Sequence, residues 1–359
     1  MKYVISAGGT GGHIYPALAI INKIKQEDKD ANILYIGTTN RMESKIIPEK
    51  NIPYIGIELS GLNRKNILKN IKVVSNLNKS YKKVKNEIVK FKPDIVIGVG
   101  GYVTFPVICA AHKLGIKTVI HEQNSVPGLT NKVLSKIVDR VFISLPGSRD
   151  FFKTKNIVYT GNPRSQEVTM VKPIVKEKYG LNTSKKLVII VMGSLGSMTM
   201  NQKLKDIIPC FKNKDYEVVF VTGNNYYDDY KDIRIDNVKI VPFIDNMLEY
   251  IKASALIVSR SGASIISEIT VSGVPSILVP SPYVTNNHQY KNALELANVG
   301  ASEILSEEEF NVENLLNKID EILNDESKYQ KMVEANLKLG VKDSQDRIYK
   351  EIIKVIKED

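Results

Sequence analysis

Residues 262–289 read GASIISEITVSGVPSILVPSPYVTNNHQ. The stretch opens on Gly262-Ala263-Ser264, a turn with almost no side-chain bulk. Its spacing predicts a short helix carrying Glu268, an apolar strand over Ser276–Val279, and a polar loop ending at His288 and Gln289. A backbone this small lets an anionic group approach the N–H groups at a helix start, where the dipole favours negative charge. A carboxylate one turn into that helix can accept hydrogen bonds from ribose hydroxyls. The polar loop after the next strand can reach whatever hangs from the phosphate. The combination suits a nucleotide carrying a sugar.

The same grammar extends in both directions. Strands are expected at Lys2–Ser6, Ile33–Ile36, Asp94–Val99, Thr118–His121, Val141–Ser144 and Ile157–Tyr159, with helices at Ile14–Gln26 and Val107–Leu114. Between them Ile67, Ile71, Val74, Leu77, Tyr81, Val84 and Ile88 recur at helical spacing. The pattern then restarts, with strands at Leu187–Met192, Glu217–Thr222, Val238–Pro242, Leu256–Ser259 and Ser276–Val279. Strands separated by helices imply βαβ units and parallel sheets. The expected fold class is α/β, two Rossmann-like, doubly wound parallel-sheet domains. Gly161-Asn162-Pro163-Arg164 interrupts both periodicities and sets the expected boundary: residues 1–162 form one domain and 163–342 the other. The helical tail, 343–359, is expected to pack back on the first.

Length agrees with two domains, since 359 residues exceed the usual single core. The net charge of +11 is concentrated in one half: residues 1–164 hold 26 Lys/Arg against 11 Asp/Glu, whereas residues 165–359 hold 24 against 28. Ten of the positive charges fall between Arg64 and Lys92, against the single acid Glu87. Such a patch attracts a polyanion, nucleic acid or an anionic membrane surface. Cys109 and Cys210 sit in apolar contexts and read as buried thiols of a reducing compartment. No signal-peptide pattern and no apolar run of spanning length is present, so a cytosolic or peripheral protein is expected.

Three further segments carry polar chemistry at strand ends. Gly8-Gly9-Thr10-Gly11-Gly12-His13 follows the first strand, but lacks the Lys-Ser/Thr of a P-loop and the full dinucleotide fingerprint. Gly98-Val99-Gly100-Gly101-Tyr102 places a second glycine loop on the same sheet edge. His121-Glu122-Gln123-Asn124 offers four consecutive hydrogen-bonding side chains. His13 and Glu122 are the candidate general bases. No metal constellation stands out; Asp28-Lys29-Asp30 reads as a charged surface turn. Helix dipoles, backbone N–H groups and Arg164 are then left to stabilise a leaving diphosphate.

In order, GGTGGHIYP (8–16), NRMES (40–44), SGL (60–62), GVGGYVTFP (98–106), HEQNSVPGLTNK (121–132), TGNPR (160–164), SRSGASIISE (259–268) and PSILVPSPYVTNNHQYKNA (275–293) resemble the MurG family of peptidoglycan N-acetylglucosaminyltransferases. The resemblance implies a GT-B fold, with the two domains facing across a cleft. It implies inverting transfer of N-acetylglucosamine from a UDP-GlcNAc donor to the muramyl 4-hydroxyl of lipid I, giving lipid II, with no required metal and no cofactor. By position, the donor contacts would be Thr10, Gly11, Gly12, Asn124, Arg164, Ser194, Ile244, Glu268 and Gln289. Glu268 would hold the ribose, Ile244 the uracil and Gln289 the sugar hydroxyls. The first domain would take the acceptor, and Gly100, Gly101, Tyr102, Lys65, Lys69 and Lys72 form the expected acceptor and membrane patch. That patch implies an anionic membrane surface as partner, at the cytoplasmic face of the bacterial plasma membrane, with no nucleic acid expected. Two positions depart from the family: Met192 stands where glycine is usual and Leu195 where a polar residue is usual. Other readings compatible with the residues are a glycolipid synthase using diacylglycerol, a UDP-sugar epimerase, and a non-catalytic binding module for RNA or anionic lipid.

Overall fold

The computed structural model describes residues 1–59, 70–193 and 196–358, with side chains at 70–75 also outside the description. Lys65, Lys69, Ser194, Leu195 and the SGL segment lie outside the described residues, as does the side chain of Lys72. The polypeptide divides into two compact units, Met1–Arg164 with Asp343–Asp359, and Ser165–Lys342.

The first unit is built on strands β1 (Lys2–Ser6), β2 (Asn32–Thr38), β3 (Tyr54–Ile57), β4 (Ile95–Gly98), β5 (Lys117–Glu122), β6 (Arg140–Ile143) and β7 (Ile157–Tyr159). Among the described residues they form a seven-stranded parallel sheet in the order β3-β2-β1-β4-β5-β6-β7. Helices α1 (Gly11–Glu27), α2 (Glu43–Glu49), α3 (Asn70–Phe91), α4 (Thr104–Lys113) and α5 (Leu129–Leu134) connect them. Both sheet faces are covered, which is why β1 is buried from Tyr3 onward rather than alternating. Tyr3, Ile5 and α1 pack one core, and Val4, Val96 and α4 the other.

The second unit holds α6 (Glu167–Met170), β8 (Lys186–Val191), α7 (Met198–Ile207), β9 (Tyr216–Val221), β10 (Val238–Val241), α8 (Met247–Ala253), β11 (Leu256–Ser259), α9 (Ala263–Ser272), β12 (Ser276–Leu278), α10 (His288–Ala297), β13 (Ser302–Ile304), α11 (Val312–Asn324) and α12 (Glu326–Leu339). Its six-stranded parallel sheet runs β10-β9-β8-β11-β12-β13. Side chains of Asn311 and Asp325 cap α11 and α12 by accepting from the N–H groups of Asn314 and Lys328, both at 2.9 Å.

Helix α13 (Ser344–Lys357) returns to the first unit. Ile348, Ile352 and Val355 recur at helical spacing and join the core of Tyr3, Ile5 and Ile14. Arg140 bonds Glu351 at 3.1 Å, Lys23 pairs with Asp346, and Gln345 donates to the Pro163 carbonyl at 2.9 Å. In the Asp28–Asp30 turn, Asp28 is occupied by the N-terminal ammonium at 2.9 Å, which holds its carboxyl below the usual range.

The cysteine reading is corrected: Cys210 is exposed and Cys109 only partly buried. Cys210 lies on a short 3₁₀ turn whose threefold period turns Ile208 and Phe211 inward and leaves Cys210 outside.

His121 ties the end of β5 to the segment after β7. It is fully buried, with Nε2 donating to the Gly161 carbonyl at 3.1 Å and Nδ1 accepting from the Gln123 amide at 3.1 Å. Burial, the largest cause, together with the nearby His13 outweighs the Gly161 bond and pulls the imidazole down to about 4. Between that value and an unfolded value near 6.5 the unfolded chain binds the extra proton, so stability present above about pH 6.5 is lost as pH falls toward 4, by roughly 3 kcal/mol. In a histidine-labelled NMR titration, the His121 ring should stay neutral from pH 7 to 5; a midpoint near 6.5 would contradict its burial. Truncating Ile352 to Ala should cost the first unit about 2–5 kcal/mol in urea unfolding; a loss below about 0.5 kcal/mol would contradict the docking of α13.

Candidate active site

Each sheet reverses strand order once, between β1 and β4 in the first unit and between β8 and β11 in the second. The crevice outside the carboxyl ends of two such strands is where open α/β sheets bind ligands. The described loop residues there are 7–10 and 99–103 in the first unit, and 192–193, 196–197 and 260–262 in the second. All four of these loops carry glycine, so the sequence motifs mark the switch points.

In the first unit the two glycine loops lock together. The Gly8 N–H donates to the Gly100 carbonyl at 3.2 Å. His13 Nδ1 lies 3.0 Å from the Gly8 carbonyl. A carbonyl only accepts, so Nδ1 carries the proton and the basic lone pair of the neutral ring is on Nε2. A Cβ on Gly100 would sit 2.5 Å from His13 Cδ2 and 2.9 Å from Nε2, and Gly100 has φ of +103°. A Cβ on Gly101 would run into the Gly8 carbonyl. These glycines therefore make room for the protein's own groups. Gly9, by contrast, meets nothing within 4 Å, and Gly12 meets only the Thr10 hydroxyl at 3.7 Å.

Thr10 is the N-cap of α1 and makes no side-chain cap bond. Gly11 and Gly12 thus begin α1 and supply first-turn N–H groups that a helix leaves without an internal acceptor. Arg164 stacks its guanidinium over the ring of Tyr15, on the next turn of α1, at 5.8 Å. The Tyr102 hydroxyl is shielded from solvent and lacks a hydrogen-bond partner among the described residues, a condition that calls for a ligand or water.

Glu122 is buried at the end of β5, and both its oxygens are engaged. They accept from the Asn124 N–H at 3.0 Å and the Asn131 amide at 2.8 Å, with the Gly128 N–H at 3.1 Å and the Asn124 amide at 3.3 Å completing the set. The carboxylate organises the 122–131 loop and holds Asn124 at the same sheet edge.

In the second unit, Gly262 caps α9 with extended backbone, and a Cβ there would meet open space. Glu268 is buried in the second turn of α9. The Ser261 hydroxyl donates to the Gln289 carbonyl at 2.8 Å, and the Asn292 amide donates to the Ser261 carbonyl at 3.1 Å. These bonds hold the start of α10 against the start of α9. The Gln289 side-chain oxygen accepts from the Ser281 N–H at 2.8 Å. Asn286 and Asn287, just before α10, both adopt left-handed backbone, at φ of 56° and 50°. Ile244 is buried in the loop after β10.

Sequence reasoning missed two groups here. Arg260 is buried, donates to the Val279 carbonyl and the Ser197 hydroxyl at 3.1 Å each, and pairs with partly buried Glu307. It ties the ends of β11 and β12 to the loop after β8. Glu43, wholly buried at the start of α2, accepts from the Gly9 N–H.

Residues 3–143 match the glycosyltransferase family 28 N-terminal domain, and residues 187–348 match its C-terminal domain. The chain is 45% identical to a UDP-N-acetylglucosamine--N-acetylmuramyl-(pentapeptide) pyrophosphoryl-undecaprenol N-acetylglucosamine transferase of Bacillus cytotoxicus, over 99% of its own length and 100% of the relative's. A Bacillus cereus relative of the same name is 46% identical over the same shares. The crystal structure of Acinetobacter baumannii MurG superposes with a TM-score of 0.78 at 27% identity, covering 99% of this chain and 100% of that one. The fold is GT-B, and with both domains matched in order along nearly the whole length, the chain belongs to glycosyltransferase family 28 and, within it, to the MurG family.

Proposed function

We infer that this protein transfers N-acetylglucosamine from UDP-N-acetylglucosamine to the muramyl 4-hydroxyl of an undecaprenyl-diphosphate-linked acceptor, lipid I, forming lipid II with inversion. The observation that carries this reading is the 45% and 46% identity, end to end, to relatives that bear the name of that transfer. The geometry fits it. The second switch point takes UDP: the start of α9 faces the diphosphate, Glu268 the ribose, the Ile244 backbone the uracil, and Gln289 the sugar hydroxyls, with Ser194 contributing from outside the described residues. In the first unit Thr10, Asn124, Arg164 and the first-turn N–H groups of Gly11 and Gly12 are the donor contacts we assign.

His13 serves as the base. Its Nδ1–H is committed to Gly8, so Nε2 removes the acceptor proton as the acceptor oxygen attacks the anomeric carbon from the face opposite UDP. The alternative base, Glu122, has its oxygens occupied by loop donors, which suits an organising role. The Tyr102 hydroxyl, without a hydrogen-bond partner among the described residues, suits an acceptor hydroxyl.

No helix of the described residues is long and apolar enough to cross a membrane. The acceptor is a lipid, so the chain must work at a bilayer surface. The lysines of 64–92, with Lys65, Lys69 and Lys72 among them, give the first unit a reversible hold on anionic headgroups at the cytoplasmic face, each worth about 1 kcal/mol.

Incubation with labelled UDP-N-acetylglucosamine should give a labelled lipid only when lipid I is added; product with a diacylglycerol acceptor instead, or no lipid product, overturns the reading. His13→Gln should lower kcat by about 10²–10⁴-fold with the donor KM little changed. Glu268→Gln should raise the donor KM about tenfold. Activity of the His13 variant within about tenfold of wild type would remove His13 as the base.

A further inference from the structure

Glu43 has no part in the chemistry above, yet the chain is shaped around it. Its side chain is wholly buried. Oε1 accepts from the Thr38 N–H at 3.1 Å and the Thr38 hydroxyl at 2.7 Å, and Oε2 accepts from the Gly9 N–H at 3.1 Å. No lysine, arginine or histidine pairs with it among the described residues. A Cβ on Gly8 would collide with Oε1, and one on Gly37 would lie 2.8 Å from Glu43 Cγ. Two glycines thus give the carboxylate its space. Burying an acid against neutral donors alone is costly, and a carboxylate is the side chain that can bridge two backbone segments with acceptors on both sides. Burial chiefly, and then the Glu43 charge, push the neighbouring Tyr35 and Tyr54 phenols up. The Tyr35 hydroxyl donates to the Ala7 carbonyl at 2.9 Å, so the loop is held on both sides of Gly8.

We propose that Glu43 is a positioning residue for the transfer: it clamps the Gly9 N–H to the end of β2, fixes the Gly8 carbonyl, and so sets the tautomer and direction of the His13 ring. The chain of contacts is Thr38, Glu43, Gly9, the Gly8 carbonyl and His13 Nδ1–H. This rests on the base assignment to His13, and its test therefore carries an arm independent of turnover.

The test is Glu43→Gln. The variant is isosteric, but its NH₂ must face either Gly9 or Thr38, both donors, so one end of the clamp opens. In the full chain labelled with ¹⁵N-histidine, which contains four histidines, wild-type His13 should show the Nδ1–H tautomer and E43Q a mixture. In the transfer assay kcat should fall about 10- to 100-fold while the UDP-N-acetylglucosamine KM stays within about twofold, because Glu268 and the start of α9, the main hold on the ribose and diphosphate, lie in the other unit. Thr38→Val, which deletes one donor and keeps the shape, should shift the tautomer in the same direction by less, and it decides the matter if E43Q does not fold by circular dichroism. An unchanged His13 tautomer with kcat within about threefold overturns the proposal. If the wild-type protein makes no lipid product, the transferase reading fails on its own, and the tautomer arm still decides the clamp.

Discussion

The contact on which the first unit's chemistry depends is the meeting of Gly8 with Gly100 and His13. One residue there, Gly8, uses both of its backbone polar groups: its N–H goes to the Gly100 carbonyl, its carbonyl to His13. Neither bond is strong by itself, each contributing on the order of 1 kcal/mol net. Their effect is geometric. Together they fix which imidazole nitrogen holds a proton, and they require that position 100 lack a side chain, since any Cβ would strike the ring. An imidazole free to choose its tautomer would spend part of its time with the wrong nitrogen presented.

The second unit repeats the topology with different chemistry. Its switch point is braced by an ion pair, buried Arg260 with Glu307, beside a packed glycine, Gly196, whose Cβ would strike the Thr222 carbonyl. Breaking such a pair leaves an uncompensated buried charge, so the brace holds β11, β12 and the loop after β8 in one arrangement. The start of α9 then offers open backbone at Gly262, and Ser261 draws α10 alongside. On the proposed reading, His13 of the first unit supplies the base and the start of α9 in the second holds the anion.

The fold was largely legible because parallel strands buried on both faces leave continuous apolar runs, as at Leu187–Val191. Strands β3 and β13 escaped because each short apolar run is interrupted, Tyr54–Ile57 by Gly56 and Ser302–Ile304 by Glu303. The glycine motifs marked the right loops, but their purpose was mixed. Gly9, Gly12 and Gly262 are open, whereas Gly8, Gly100 and Gly101 are closed by the protein's own atoms. Spacing cannot separate the two, since an absent side chain looks the same whether a ligand or a neighbour fills its place. Glu122 read as a spare base because its four donors come from the loop at Asn124 and Gly128 and from Asn131 of α5, a convergence only the folded backbone reveals. Glu43 went unread because one acid in a helix start is unremarkable until the depth of its burial is seen. Cys210 misled because the hydrophobicity of its neighbours said nothing of which way a 3₁₀ turn faces.

The central claim is that the second switch point, not the first, takes the diphosphate of the donor. A crystal structure of the protein with UDP tests this most directly. The account predicts the diphosphate on the N–H groups of Gly262, Ala263 and Ser264, between the loops after β8 and β11, with the ribose hydroxyls on Glu268. Density for the diphosphate on the Gly9–Gly12 loop of the first unit, with none at the start of α9, would contradict it.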